Sequence, residues 1–278
     1  MLHSRFFVLD IETIPDILSA RRLLVDYESS DVEIENKIIQ YHLDITGGKN
    51  AFLRQPFHQV VCISFLEAEI QYEGEYEFYK IKQLRSGGNL NSSEADLIRG
   101  FFDYLSSPIA RLITFNGRSF DIPVLKYRAM IHGVQAAWLH RSGDKWNSYN
   151  SRYSVNWHCD LVEALSDFGV SARVKMNEVC AALNIPGKLD TEGSMVRDMY
   201  YDGKLKEIRD YCELDVLSTY LIYIRYMHHV GILKNYQVHI QDVIDFLNVE
   251  QKERGNLKNF LEEMGKLGYD TEASHKRL

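Results

Sequence analysis

The chain has 278 residues, 45% of them hydrophobic and 12% aromatic, which is enough for a buried core and too apolar for a disordered polymer. Its 32 basic and 39 acidic residues give a net charge of −7, which excludes a protein that grips nucleic acid by bulk positive charge and leaves that work to local basic patches. No apolar run reaches the roughly 18 residues needed to span a bilayer, and Met1 leads into a strand with no signal-peptide core, so the expectation is a soluble, cytoplasmic protein.

Residues 5–11 (RFFVLDI) form a short apolar run of the kind found in buried central strands. Pro15-Asp16 ends it, 16–46 reads as charged helix, and Gly47-Gly48 breaks that helix. Residues 58–67 read as a second buried strand. Residues 70–81 alternate polar and apolar, with Tyr72, Tyr76 and Phe78 in one register, and read as a half-exposed strand paired with it. Ser93-Glu94-Ala95-Asp96 is a capping box that opens a helix to about Leu105. Residues 109–115 are a further buried strand, followed by an Asn116-Gly117 turn and a helix over 122–131. From about residue 160 the pattern is helical, with the longest helix over 203–230. Cys62, Cys159, Cys180 and Cys212 have apolar neighbours and no zinc spacing, so they read as reduced core thiols.

Three groups of acids carry possible chemistry, and each has a plain structural reading beside it. Asp10 and Glu12 lie two apart at a strand end and so share a face, where they either converge on a cation or are simply solvated. Asp121 follows the NGRSF turn and either ligates or caps the next helix, with Pro123 in its first turn. Tyr211 and Asp215 lie one helical turn apart. On so apolar a face a carboxylate needs a cation or a metal, and Arg209 and Lys206 are the available cations. All three tryptophans fall in 138–158, interleaved with cations. They suit either stacking on single-stranded bases or a long loop pinned by its own aromatics, the second being favoured.

In that order, FFVLDIETIPD, ITFNGRSFDIPVL and YCELDV resemble the three motifs of the DEDD superfamily of 3′–5′ exonucleases, in the subgroup with tyrosine in its third motif. LNIPGKLDTEGSMV (183–196) is similar to a subgroup of predicted exonucleases related to the proofreading domain of family B DNA polymerases. The resemblance covers roughly residues 5–230 and implies an α/β, RNase H-like fold: a mixed five-stranded sheet flanked by helices, over 1–230, with 231–278 a helical C-terminal extension packing on the same domain. Only four strands are evident in the sequence. Carried over, the metal ligands are Asp10, Glu12, Asp121 and Asp215, and Tyr211 orients the attacking water. The expected cofactors are two divalent cations, Mg²⁺ or Mn²⁺, about 3.5–4 Å apart, bridged by Asp10 and served by hard oxygen ligands. Thr13, Asn116, Phe120 and Lys188 are the candidate substrate contacts, although Asn116 equally suits its own turn and Phe120 the core. The implied activity is hydrolysis of nucleoside 5′-monophosphates from the 3′ end of single-stranded or frayed DNA. The alternatives are an exoribonuclease and a catalytically silent nucleic-acid-binding module. With no room for a polymerase domain, a role in replication or repair would involve other proteins.

Overall fold

The computed structural model describes residues 3–107, 109–187 and 195–272. Five strands form one sheet in the order β3-β2-β1-β4-β5: β1 (Arg5–Pro15), β2 (His58–Glu73), β3 (Tyr76–Ser86), β4 (Arg111–Thr114) and β5 (His158–Asp160). β1 pairs antiparallel with β2 and parallel with β4, β2–β3 is antiparallel, and β4–β5 is parallel. The sheet is therefore mixed, as expected, and the fifth strand is the three-residue β5.

One expected strand is corrected. Residues 70–81 are two strands, because Gly74 (φ +64°) and Glu75 turn the chain between Glu73 and Tyr76. Glycine at the first central position suits a two-residue hairpin turn. Directly opposed residues share a face, and Tyr72 opposes Glu77 while Gln71 opposes Phe78. Tyr72 therefore lies on the opposite face from Tyr76 and Phe78.

Helices cover both faces. Between β1 and β2 lie α1 (Ile17–Leu24), capped by Asp16, and α2 (Asp31–Ile45), opened by a Ser30–Glu33 capping box. The Ser93–Asp96 box opens α3 (Glu94–Tyr104), and α4 (Asp121–Ile131) follows β4. Short helices α5 (Ala137–Arg141) and α6 (Leu161–Leu165) flank β5, and α7 (Met176–Leu183) and α8 (Val196–Tyr201) lead to the long α9 (Leu205–His229). The chain closes with α10 (Tyr236–Glu250) and α11 (Gly255–Lys266).

The alternation along β1 sorts these layers. Phe6 and Val8 join the core that contains Val216, Tyr220 and Tyr223 of α9, together with Val243, Leu247, Phe260 and Met264 of α10 and α11. Phe7, Leu9 and Ile11 join the other core, with Phe101 and Phe102 of α3 and Val124 and Leu125 of α4. A period of two then carries Asp10 and Glu12 onto the α9 face. α4 is fixed by buried Arg128, which pairs with Asp16 beyond β1 and with Glu94 at the start of α3. Between α5 and β5 the loop is pinned by its own aromatics. Tyr149 makes edge contacts with Trp138 and Trp157, both at 5.1 Å, while Trp146 and Tyr153 stay exposed. No helix among the described residues is long and apolar enough to cross a membrane.

Candidate active site

Asp10 and Glu12 sit midway along β1, which runs on to Pro15 and does not end at the acids as expected, and α9 crosses over them. One ligand atom from each of Asp10, Glu12 and Cys212 lies within 4.8 Å of the others. The Cys212 thiol approaches Asp10 Oδ2 at 3.4 Å. Tyr211 and Asp215 follow from the same helix. The Tyr211 hydroxyl is hydrogen-bonded to Asp215, and burial together with the charges of Asp215, Glu12 and Asp10 pushes the phenol far above its ordinary value of 10.0. Tyr211 is therefore a protonated donor to a carboxylate. The two cations considered as partners for Asp215 are engaged elsewhere: Arg209 donates to the carbonyls of Ser86, Gly87 and Gly88, and Lys206 pairs with Asp210.

Asp121 arrives from the neighbouring parallel strand. It is the first residue of α4 and makes no side-chain cap; the capping position is Phe120. Its carboxylate is buried and accepts from the backbone N–H of Ile11, between Asp10 and Glu12, yet Oδ1 has no hydrogen-bond partner among the described residues. Burial, with the charge of Asp160 added, raises its pKa from 3.8 to about 7. An ionised carboxylate with an orphaned, desolvated oxygen is costly unless a cation meets it. The group within metal-ligand reach among the described residues is Asp10, Glu12 and Cys212, without Asp121 or Asp215, and in it the carboxylate oxygens of Asp10 and Glu12 are the donors that suit Mg²⁺ or Mn²⁺.

The turn that sets Asp121 is tightly held. Asn116 adopts φ +73°, and Asp160 at the end of β5 accepts from the N–H groups of Asn116 (3.0 Å) and Arg118 (2.7 Å). Gly117 packs so closely on Thr114 that a Cβ there would sit 2.5 Å from its side chain.

Of the expected substrate contacts, Asn116 is exposed and borders the same cavity as Asp10 and Asp215, a space of about 760 Å³, while its Oδ1 accepts from Ser119 Oγ at 2.6 Å. Of the two roles considered for it, the hydrogen bond within its own turn is present. Phe120 is half-buried against His58 and Phe52, with ring centroids at 4.9 and 5.6 Å. Thr13 sits opposite a bulge at Val61 of β2, with its hydroxyl 2.9 Å from His58 Nδ1. Lys188 lies outside the described residues.

Four further residues at the site have no role in the sequence reading. Asp160 ties down the turn before Asp121, and its only sequence signal is a position before LVEAL that suits a helix cap. Cys212 shows only as a buried thiol. Arg173 and Lys175 line the cavity from a segment far from any of the motifs.

A family described as predicted 3′–5′ exonucleases related to the exonuclease domain of PolB matches residues 50–264. The matched stretch holds Asp121, Tyr211 and Asp215, while Asp10 and Glu12 precede it, on a strand that pairs with β4. Comparison with curated proteins gave no match.

Proposed function

The chain belongs to the predicted 3′–5′ exonucleases related to the exonuclease domain of PolB, and we propose that it removes nucleoside 5′-monophosphates from the 3′ end of single-stranded or frayed DNA, using two divalent cations. What carries this reading is the buried, half-satisfied carboxylate of Asp121, directed at the backbone between Asp10 and Glu12. A purely structural aspartate at that position would be capped or paired.

Asp10, Glu12, Asp121 and Asp215 would hold Mg²⁺ or Mn²⁺. When bound, such cations make water a better nucleophile at neutral pH and neutralise charge developing on the phosphate and the leaving oxygen. Tyr211 has a separate task. Its proton is committed to Asp215, so the phenolic oxygen keeps its lone pairs to accept from the attacking water and aim it. A phenol held protonated cannot act as the general base. Asn116 and Ser119, which line the cavity, would meet the terminal nucleotide.

The test is a comparison of 5′-labelled single-stranded DNA, duplex DNA and RNA with Mg²⁺, Mn²⁺ or EDTA. A ladder shortening from the 3′ end of single-stranded DNA, abolished by EDTA, is the expected result. Preferential loss of RNA would make the protein an exoribonuclease. Binding without shortening would make it a silent nucleic-acid-binding module and refute the hydrolytic reading.

A further inference from the structure

The cavity that contains Asp10 and Asp215 is not acidic all round. Part of its wall is the segment before α7, and among the described residues that line it the only cations are Arg173 and Lys175. We propose that Arg173 and Lys175 form a phosphate-binding wall that holds the sugar–phosphate backbone of a single strand on the 5′ side of the bond being cut. The inference rests on the exonuclease reading above and adds to it where the rest of the substrate lies.

The chain's charge is −7, so a strand entering an acidic centre needs compensating cations close by. The carboxylates and their metal ions account for the scissile phosphate alone. When the 3′-terminal nucleotide is the leaving piece, every other phosphate lies on the 5′ side. A cavity of about 760 Å³ is large for a single phosphate group, toward the upper part of the range for small-ligand sites, about 300–1,000 Å³.

The wall also has charge to spare. Buried Glu163 is paired with both Arg173 and Arg152, the latter at 2.5 Å, so two guanidinium groups share one carboxylate. Arg173 remains about half exposed, and Lys175 is exposed beside it. A guanidinium oriented by a buried carboxylate loses less side-chain entropy on gripping a phosphate than a free one would. Removing Arg173 leaves Glu163 with Arg152, so the fold does not depend on the cation under test.

The test uses Arg173→Ala, Lys175→Ala and the double variant of the full chain, each checked by thermal melting against wild type. Hydrolysis of 5′-labelled single-stranded dinucleotide, pentanucleotide and decanucleotide is followed with Mg²⁺ at several salt concentrations. In wild type, kcat/KM is expected to grow with strand length and to fall with salt. The double variant is expected to lose most of that gain with length, about tenfold or more on the decanucleotide. Its log–log salt slope should be shallower by about 1.4, at about 0.7 per phosphate contact on a single strand. The charge-conserving pair Arg173→Lys and Lys175→Arg should restore most of the slope. An unchanged slope, or a loss equal at every length, overturns the wall. If wild type cuts none of these strands, the exonuclease reading fails instead. Fluorescence anisotropy of the labelled decanucleotide in Mg²⁺ then decides the wall through the same difference in slope.

Discussion

Replacing Asp121 with asparagine is expected to stabilise the metal-free protein selectively at alkaline pH. The Asp121 carboxyl is desolvated and faces Asp160, which lifts its pKa from 3.8 to about 7. A folded-state pKa above the unfolded one means that the native state holds its proton more tightly. The stabilisation is complete below the unfolded value and is lost as pH rises through the folded one. Each pH unit inside that window costs about 1.4 kcal/mol. Between about pH 5 and pH 8 the wild type should therefore lose about 2–3 kcal/mol relative to Asp121→Asn, which has no proton to release. For a chain of this size that is a relative change of about 5–10 °C in Tm. The assay is thermal melting of both proteins in EDTA across that range, repeated with Mn²⁺. All other titrating groups are common to the pair and cancel. With Mn²⁺ the order should reverse, because an anionic carboxylate binds the cation more tightly than the neutral amide oxygen of asparagine. A gap between the two proteins in EDTA that stays constant with pH would refute the claim that Asp121 is held desolvated and unpaired.

Asp10→Ala and Asp215→Ala should abolish hydrolysis, whereas Tyr211→Phe should fold normally and lower kcat by about 10- to 100-fold, the range of a lost water-positioning group; unchanged turnover in purified Asp10→Ala would rule out the ligand assignment. Arg128→Ala leaves Asp16 and Glu94 buried without their shared cation and should cost about 3–5 kcal/mol in denaturant unfolding near neutral pH. Burial raises the Asp16 carboxyl, but hydrogen bonds from Ser19 and Arg128 outweigh it and hold the group below 3.8, so its contribution is present above about pH 4 and is lost as pH falls through the lowered value. A loss under about 1 kcal/mol would show the pairing to be incidental. Gly117→Ala drives a methyl group into Thr114 and should destabilise by about 1–3 kcal/mol while shifting Asp121 enough to reduce activity; a variant as stable and active as wild type would mean that the turn has slack.

The sequence exposed what local pattern controls. RFFVLDI, HQVVCISFLE and IARLITF are apolar runs that only a buried strand accommodates, and Ser93–Asp96 is a cap wherever it occurs. The hairpin at Gly74–Glu75 was hidden because Tyr72, Tyr76 and Phe78 are all even-numbered and look like one register, whereas a two-residue turn moves even-numbered residues to the other face. β5 was hidden by its length, since His158–Asp160 is too short for any periodicity to show. At the site, spacing alone places Asp10 beside Glu12 and Tyr211 above Asp215. That Cys212 touches Asp10, that Asp160 fastens the turn before Asp121, or that Arg173 and Lys175 line the same cavity as Asp10 and Asp215 depends on how distant segments cross, and no short window contains it.

The ties of Glu213 bear on where the catalytic unit can be cut. This buried acid, two residues from Asp215, accepts from Ser86 Oγ at 3.0 Å and from Asn256 Nδ2 at 3.2 Å, and it pairs with Arg254. Both C-terminal partners lie beyond residue 250. A protein shortened at about residue 230 would strand that charge and uncover the apolar flank of α9 along its length. The final helices thus act as a splint for the limb that carries Tyr211 and Asp215, setting its rotation against the sheet from behind.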